Sequence, residues 1–153
     1  MRQVKAPGHP GTEVRVFLAG SIEEGKAEQW QRHVVEVLAD LDDLVIFNPR
    51  RDDLDGSGAA WAAGAQYHEQ VNWELDMLAA ADVIIMYLAP GTRSPISLLE
   101  FGLYANSGKL RVCCGAGFWR RGNVEVVCQR YGIPLFSDLD ELLASVRSTL
   151  RPG

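Results

Sequence analysis

The sequence contains few cysteines and few histidines, and their positions argue against two common kinds of site. The three cysteines, Cys113, Cys114 and Cys128, form no CxxC motif and no even set, so they predict no disulfide framework. Cys113 and Cys114 lie in an apolar stretch typical of a strand, which favours reduced thiols in a cytoplasmic protein. The three histidines are scattered without the spacing of metal ligands, and we therefore predict no metal site.

Long apolar runs and an excess of positive charge are also lacking. No run approaches the length that spans a membrane, so we expect no membrane partner. The formal net charge of −5 gives no electrostatic footprint for nucleic acid, and we expect none to bind. The 153 residues, of which 47% are hydrophobic, suffice for one domain with a core. Residues 1–13 have no apolar signal-peptide core and predict a flexible tail before a domain over residues 14–150.

Short apolar stretches alternate with amphipathic ones along the rest of the chain. Strands are predicted at residues 14–19, 44–47, 82–88, 110–114 and 133–136. The alternation predicts an α/β protein: a single flavodoxin/Rossmann-like domain with a five-stranded parallel sheet, order 2-1-3-4-5, and helices on both faces. Ligands of such sheets bind beyond the strand ends where the order reverses. This rule predicts that a ligand binds at the turns formed by residues 20–25 and 89–94.

The stretch 94–108 predicts a helix that is apolar on most sides. Ser94 fits the N-cap, Pro95 the first helical position, and Gly108 the residue that ends the helix. Glu100 is the only acid in it. Either Glu100 belongs to a narrow solvated stripe with Ser97 and Ser107, or it is a functional acid. The topology brings Glu100 to the expected crevice, which favours the second interpretation.

The turn after the first strand reads GSIEEGKA, from residue 20 to 27, and nearly matches a phosphate-binding P-loop. Ala27 stands where a hydroxyl should hold Mg²⁺, Glu23 and Glu24 would repel phosphate, and no strand ends in a suitable acid. A P-loop is therefore disfavoured. The turn is more consistent with a binding site for a small anion or sugar hydroxyl, or with a turn that serves only to pack the helix against the strand. The later stretch GAGFWRRG lacks the third glycine of a dinucleotide fingerprint. We predict no cofactor.

Four segments together resemble the nucleoside 2-deoxyribosyltransferase-like superfamily, in particular its small members, which include nucleoside 5′-monophosphate N-glycosidases. They are VFLAGS at 16–21, HEQVNWELDMLAAADVI at 68–84, SPISLLEFG at 94–102 and GKLRVCC at 108–114. The resemblance covers residues 14 to 136. It implies cleavage or transfer at the N-glycosidic bond of (2′-deoxy)nucleosides or their 5′-monophosphates, and it leaves transfer and hydrolysis open.

The resemblance also implies residue roles. Glu100 corresponds to the nucleophile, and Glu74, or alternatively Asp76, to the acid that helps the base to leave. Ser94 stands where the transferases carry an aspartate and the monophosphate hydrolases a serine, so the ligand is expected to carry a 5′-phosphate. The substrate-binding residues expected around the crevice are Phe17, Gly20, Ser21, Asn48, Arg50, Thr92, Ser94 and Asn123.

The expected partners are a small nucleoside or nucleotide and further copies of the chain, in a homodimer or higher homo-oligomer. The apolar surface of the 94–108 helix, and Phe118 and Trp119 beside arginines, favour self-association. Members of the superfamily complete their sites across such contacts, which implies a role for Asn123 in a neighbour's pocket. The alternative function from another class is a non-catalytic sensor of a nucleotide or NAD derivative on the same fold.

Overall fold

A computed structural model of the chain describes residues 1–5, 13–22, 29–50 and 64–150. These ranges contain six strands: β1 (Arg2–Lys5), β2 (Val14–Gly20), β3 (Leu44–Asn48), β4 (Val83–Leu88), β5 (Leu110–Cys114) and β6 (Leu135–Phe136). They contain five helices: α1 (Trp30–Val37), α2 (Ala65–Ala80), α3 (Pro95–Tyr104), α4 (Arg121–Tyr131) and α5 (Leu139–Leu150). The predicted alternation of strands and helices is confirmed.

All six strands pair in parallel, in the order β1-β3-β2-β4-β5-β6. The five strands that the sequence predicts keep the predicted order, with β2 and β4 adjacent where the order reverses. The sixth strand, β1, lies within the residues expected to form a flexible tail. It is ordered because Val4 is buried beside β3 and Arg2 forms an ion pair with Glu13, 2.9 Å from Nε to Oε2. Residues 6–12 lie outside the described part of the chain.

The sheet separates two apolar cores, as expected for parallel strands that are buried on both faces. Helices α2, α3 and α4 cover one face, and α1 and α5 cover the other. Consecutive residues of a strand point to opposite faces, so the adjacent Cys113 and Cys114 of β5 lie in different cores. Cys128 of α4 shares the core of Cys114.

Helix α3 differs from its prediction at both ends. It ends at Tyr104, not at Gly108, which adopts a φ of +79° in the turn that leads to β5. Ser94 occupies the N-cap position, but it is left-handed, with φ 50°, and its side chain makes no capping hydrogen bond. The reason is that the Ser94 hydroxyl bonds to two other hydroxyl groups across the crevice.

Asp138 caps the N-terminus of α5. Its carboxylate accepts the N–H groups of Asp140 and Glu141, at 2.7 and 3.4 Å. The Ser137 hydroxyl instead accepts a hydrogen bond from Arg121. A carboxylate is the stronger acceptor at a positive helix end, which favours aspartate over the neighbouring serine.

Candidate active site

The crevice between the ends of β2 and β4 depends on a close backbone approach at Gly20. A Cβ atom there would lie 2.3 Å from the Tyr87 carbonyl oxygen, and the φ of +150° is one that other residues rarely adopt. The next residue, Ser21, donates its N–H to the same carbonyl oxygen at 3.0 Å. Trp30 donates its indole N–H to the Ser21 carbonyl at 3.0 Å and holds the turn from α1. These contacts hold the turn that follows β2 close to β4.

Three of the predicted ligand-binding residues form a cluster of hydroxyl groups in this crevice. Ser21 Oγ lies 2.6 Å from Ser94 Oγ and 2.8 Å from Thr92 Oγ1, and the last two oxygens are 2.9 Å apart. The Ala89 N–H donates to Ser21 Oγ at 2.9 Å, and Thr92 donates to the Ala89 carbonyl at 2.8 Å. The sequence segments at 20–25 and 89–94 therefore meet, as the reversal of strand order predicts.

The hydroxyl cluster holds fewer protons than hydrogen-bond contacts. Each hydroxyl has one proton, and the proton of Thr92 is directed to Ala89. Ser21 and Ser94 supply the remaining two protons, for which the three oxygen–oxygen contacts and a 3.4 Å contact of Ser21 Oγ with the Tyr87 carbonyl oxygen compete. A ligand oxygen can therefore redirect a hydroxyl proton at small cost. Ser21 is fully buried, whereas Thr92 is partly exposed and Ser94 slightly so, so these two are the members a ligand can reach.

Glu100 lies on the inner face of α3 and is 7% exposed. Burial, together with the negative charge of Glu74, raises the pKa of Glu100 to about 8. The interpretation of Ser97, Glu100 and Ser107 as one solvated stripe is wrong, because Ser97 is also buried. The outward stripe of α3 is instead apolar: Ile96, Leu99 and Leu103 are 59, 60 and 57% exposed.

Glu74, on α2, is the second carboxyl group of the site. Burial raises its pKa to about 7, although a hydrogen bond from the Gln70 side chain works in the opposite direction. Asp76, the alternative acid, is exposed. Residues two apart on a helix face different directions, so Asp76 does not share the environment of Glu74. Gln70 was not singled out from the sequence, although its position four residues before Glu74 is the spacing of helix neighbours.

Three other predicted binding residues have packing or hydrogen-bond partners of their own. Phe17 is fully buried in the core, with its ring centroid 6.4 Å from that of Trp73. Asn48 donates to Gln3 Oε1 at 2.8 Å, and Arg50 Nη1 donates to Gln31 Oε1 at 3.2 Å.

Arg50 therefore reaches α1 and Asn48 reaches β1, both on the face of the sheet opposite α2 and α3. Both line a cavity of about 280 Å³ together with Gln3, Gln29, Arg32, Val35 and Glu36. The carboxyl pair is not part of this cavity. The carboxyl pair, rather than the cavity, supplies groups that can take part in acid–base or nucleophilic chemistry.

Further expectations concern an exposed residue and residues outside the described part of the chain. Asn123 is exposed on α4. Glu23, Glu24 and Ala27 lie in residues 23–28, outside the described residues. Within the described ranges, no three His, Cys, Asp or Glu side chains are grouped so as to hold a metal ion. No helix in those ranges is long and apolar enough to cross a membrane.

Comparisons with known proteins support the fold and the family. The model of a family described as nucleoside 2-deoxyribosyltransferase like matches residues 13–118. Comparison with curated proteins gave no match. Among solved structures, the chain is similar to a conserved protein from Enterococcus faecalis, with a TM-score of 0.61 and 11% sequence identity. That match covers 90% of this chain and 99% of the other, and at this identity it supports the fold alone.

Proposed function

Because the chain belongs to the nucleoside 2-deoxyribosyltransferase-like family, we propose that it cleaves or transfers at the N-glycosidic bond of (2′-deoxy)nucleosides or their 5′-monophosphates. The observation that carries the proposal is a pair of carboxyl groups on different helices, the buried Glu100 and the partly buried Glu74, whose charge raises the pKa of Glu100. Two carboxyl groups with pKa values raised into the neutral range suit a nucleophile and a general acid.

In the proposed reaction, the bond between C1′ and the base nitrogen breaks while positive charge develops on the sugar. The ionised carboxylate of Glu100 stabilises that charge and bonds to C1′, forming a glycosyl ester. Glu74 gives its proton to the departing base. Water or the nitrogen of a second base then attacks C1′ and releases Glu100, and the proton that it loses returns to Glu74. Water gives hydrolysis and a base gives transfer.

The reactive form of the pair carries one proton, with Glu100 ionised and Glu74 protonated. In the ligand-free protein, burial raises the pKa of both carboxyl groups and so favours their neutral forms. Substrate must therefore favour the ionisation of Glu100. A sugar hydroxyl that donates to Glu100 would do so, because a hydrogen bond to a carboxylate lowers its pKa.

The hydroxyl cluster supports a ligand with a 5′-phosphate. Ser94 immediately precedes α3, and Pro95 has no N–H, so the first turn offers the N–H groups of Ile96 and Ser97 to an anion. Ser94 and Thr92 add neutral hydroxyl donors beside them. An aspartate at position 94 would repel phosphate and would accept a proton from a free 5′-hydroxyl.

The test is a panel of deoxyribo- and ribonucleosides and their 5′-monophosphates, followed by liquid chromatography with and without an acceptor base. We expect base release, with a higher kcat/KM for a monophosphate than for its nucleoside. Ser94→Asp should reverse that preference. No base release from any member of the panel would favour the sensor function, and direct binding of the same ligands would then identify it.

We further propose that the chain forms a homodimer or a higher homo-oligomer through the outward face of α3. The exposed side chains of that face, Ile96, Leu99 and Leu103, bear no charge, and Gly102 between them leaves open space. A charge-free patch can meet its own copy without like-charge repulsion, as a two-fold interface requires. Leu99→Asp should reduce the mass measured by light scattering, whereas Tyr131→Asp, at the end of α4, should not. A wild-type mass equal to one chain would contradict the proposal.

A further inference from the structure

Gln70 is a buried polar side chain of α2 that the proposed mechanism has not yet used. It is 9% exposed and lies one helical turn before Glu74. Its Nε2 atom donates to the carbonyl oxygen of Pro49, just beyond the end of β3, at 2.9 Å. Its Oε1 atom is buried and has no hydrogen-bond partner in the described part of the chain.

A buried acceptor without a partner destabilises the folded state, since it loses its hydrogen bonds to water on folding. The bond from Nε2 satisfies the Pro49 carbonyl, but it does nothing for Oε1, so stability alone does not explain this unpaired acceptor. An unsatisfied buried group that persists beside a reactive carboxyl group points to a role in the site.

The Pro49 carbonyl fixes the orientation of the Gln70 amide. Rotation of the amide by half a turn would bring Oε1 against the Pro49 oxygen, two acceptors without a proton between them. Nε2 has a second proton, and Glu74 follows one turn later on the same helix, so its carboxyl group lies within reach of the Gln70 amide, which lowers the pKa of Glu74 as a hydrogen-bond donor. Among the surrounding charged groups, Glu100 faces the pair from α3, and Arg50, after Pro49, is bonded to Gln31.

We propose that Gln70 is a positioning residue that holds one carboxyl oxygen of Glu74, so that the acidic proton resides on the other oxygen. A neutral carboxyl group has one carbonyl oxygen and one O–H, and an N–H donor pairs with the carbonyl oxygen. With Gln70 on one oxygen, the proton of Glu74 has a single location from which to reach the departing base. This inference rests on the proposed function, in which Glu74 is the general acid.

The test replaces Gln70 by methionine, which is similar in length and has no hydrogen-bonding amide. Loss of a donor to the Glu74 carboxylate raises the pKa of Glu74, so the alkaline limb of the kcat/KM profile, where the general acid loses its proton, should move to higher pH. We expect kcat to fall about tenfold with little change in KM, because the proton loses its fixed location. The melting temperature should change little, because loss of the hydrogen bond to Pro49 opposes the gain from removing the unpaired Oε1 atom. Gln66→Met, at an exposed position one turn earlier on α2, is the matched control and should leave all three quantities unchanged.

An unchanged pH profile with a lower melting temperature would assign Gln70 a purely structural role and overturn the proposal. A second measurement tests the effect of Gln70 on Glu74 without requiring turnover. Carbon-13 NMR titration of the Glu74 carboxyl group, assigned with Glu74→Gln, should show a higher pKa in Gln70→Met than in wild type. Absence of that shift overturns the inference about Gln70, whereas the shift without any base release overturns the proposed reaction alone.

Discussion

Replacement of Glu100 by glutamine tests the burial of this carboxyl group through stability, without any assumption about substrate. The pKa of Glu100 is raised from 4.5 to about 8, first by burial and then by the charge of Glu74. The folded protein therefore binds this proton more tightly than the unfolded chain does. The stability that the proton contributes is fully present below pH 4.5 and is lost as the pH rises to about 8.

One pKa unit corresponds to about 1.4 kcal/mol, so ionisation of Glu100 should destabilise the folded protein by about 3–5 kcal/mol. Glutamine has no proton to lose in this range. The free energy of unfolding of Glu100→Gln, relative to wild type, should therefore increase between pH 4.5 and 8 and then stay level. Denaturant titrations at successive pH values measure this difference.

Asp76→Asn is the matched control, because it removes an exposed carboxylate from the neighbouring helix α2. Its unfolding free energy relative to wild type should change little over the same pH range. A difference between Glu100→Gln and wild type that does not depend on pH would refute the reasoning, since it would mean that the Glu100 carboxyl group stays solvated in the folded protein.

Three further predictions concern turnover and the crevice. Glu100→Ala should lower turnover by several orders of magnitude while keeping the fold, and a 2-fluoro sugar substrate should leave a mass adduct on the wild-type Glu100 peptide; near-normal turnover would contradict the role of nucleophile. The wild-type kcat/KM should be bell-shaped in pH with apparent pKa values near 7 and 8 that belong to the Glu74–Glu100 pair, and a profile flat from pH 6 to 9 would contradict this. Gly20→Ala should cost about 2–3 kcal/mol in chemical denaturation, because its Cβ would meet the Tyr87 carbonyl; a stability equal to wild type would show that the turn can move.

The sheet could be predicted from the sequence because its central strands are continuous apolar runs. β4 and β5 are buried on both faces. A continuous apolar run of this kind predicts both a strand and its parallel pairing. β1 could not be predicted in this way. It has only Val4 to bury, and its position depends on pairing with β3 and on the ion pair of Arg2 with Glu13.

Much of the candidate site followed from the topology, and the remainder depended on the direction of individual side chains. The reversal of strand order correctly brings Ser21, Thr92 and Ser94 together. Asn48 also follows a strand at the same edge of the sheet, but its side chain reaches β1. The sequence does not fix this direction, because alternation near the end of a short strand depends on register.

The two adjacent cysteines of β5 give the protein a native reporter for each of its two cores. Burial raises the pKa of Cys113 to about 12 and that of Cys128 to about 11, and it also raises the pKa of Cys114, so these thiols react slowly with alkylating reagents while the protein is folded. Labelling of Cys113 then requires the α1–α5 side to open, whereas labelling of Cys114 or Cys128 requires the α2–α3–α4 side to open. Pulsed alkylation followed by peptide mass spectrometry can therefore time the opening of the two layers separately, on the unmutated chain.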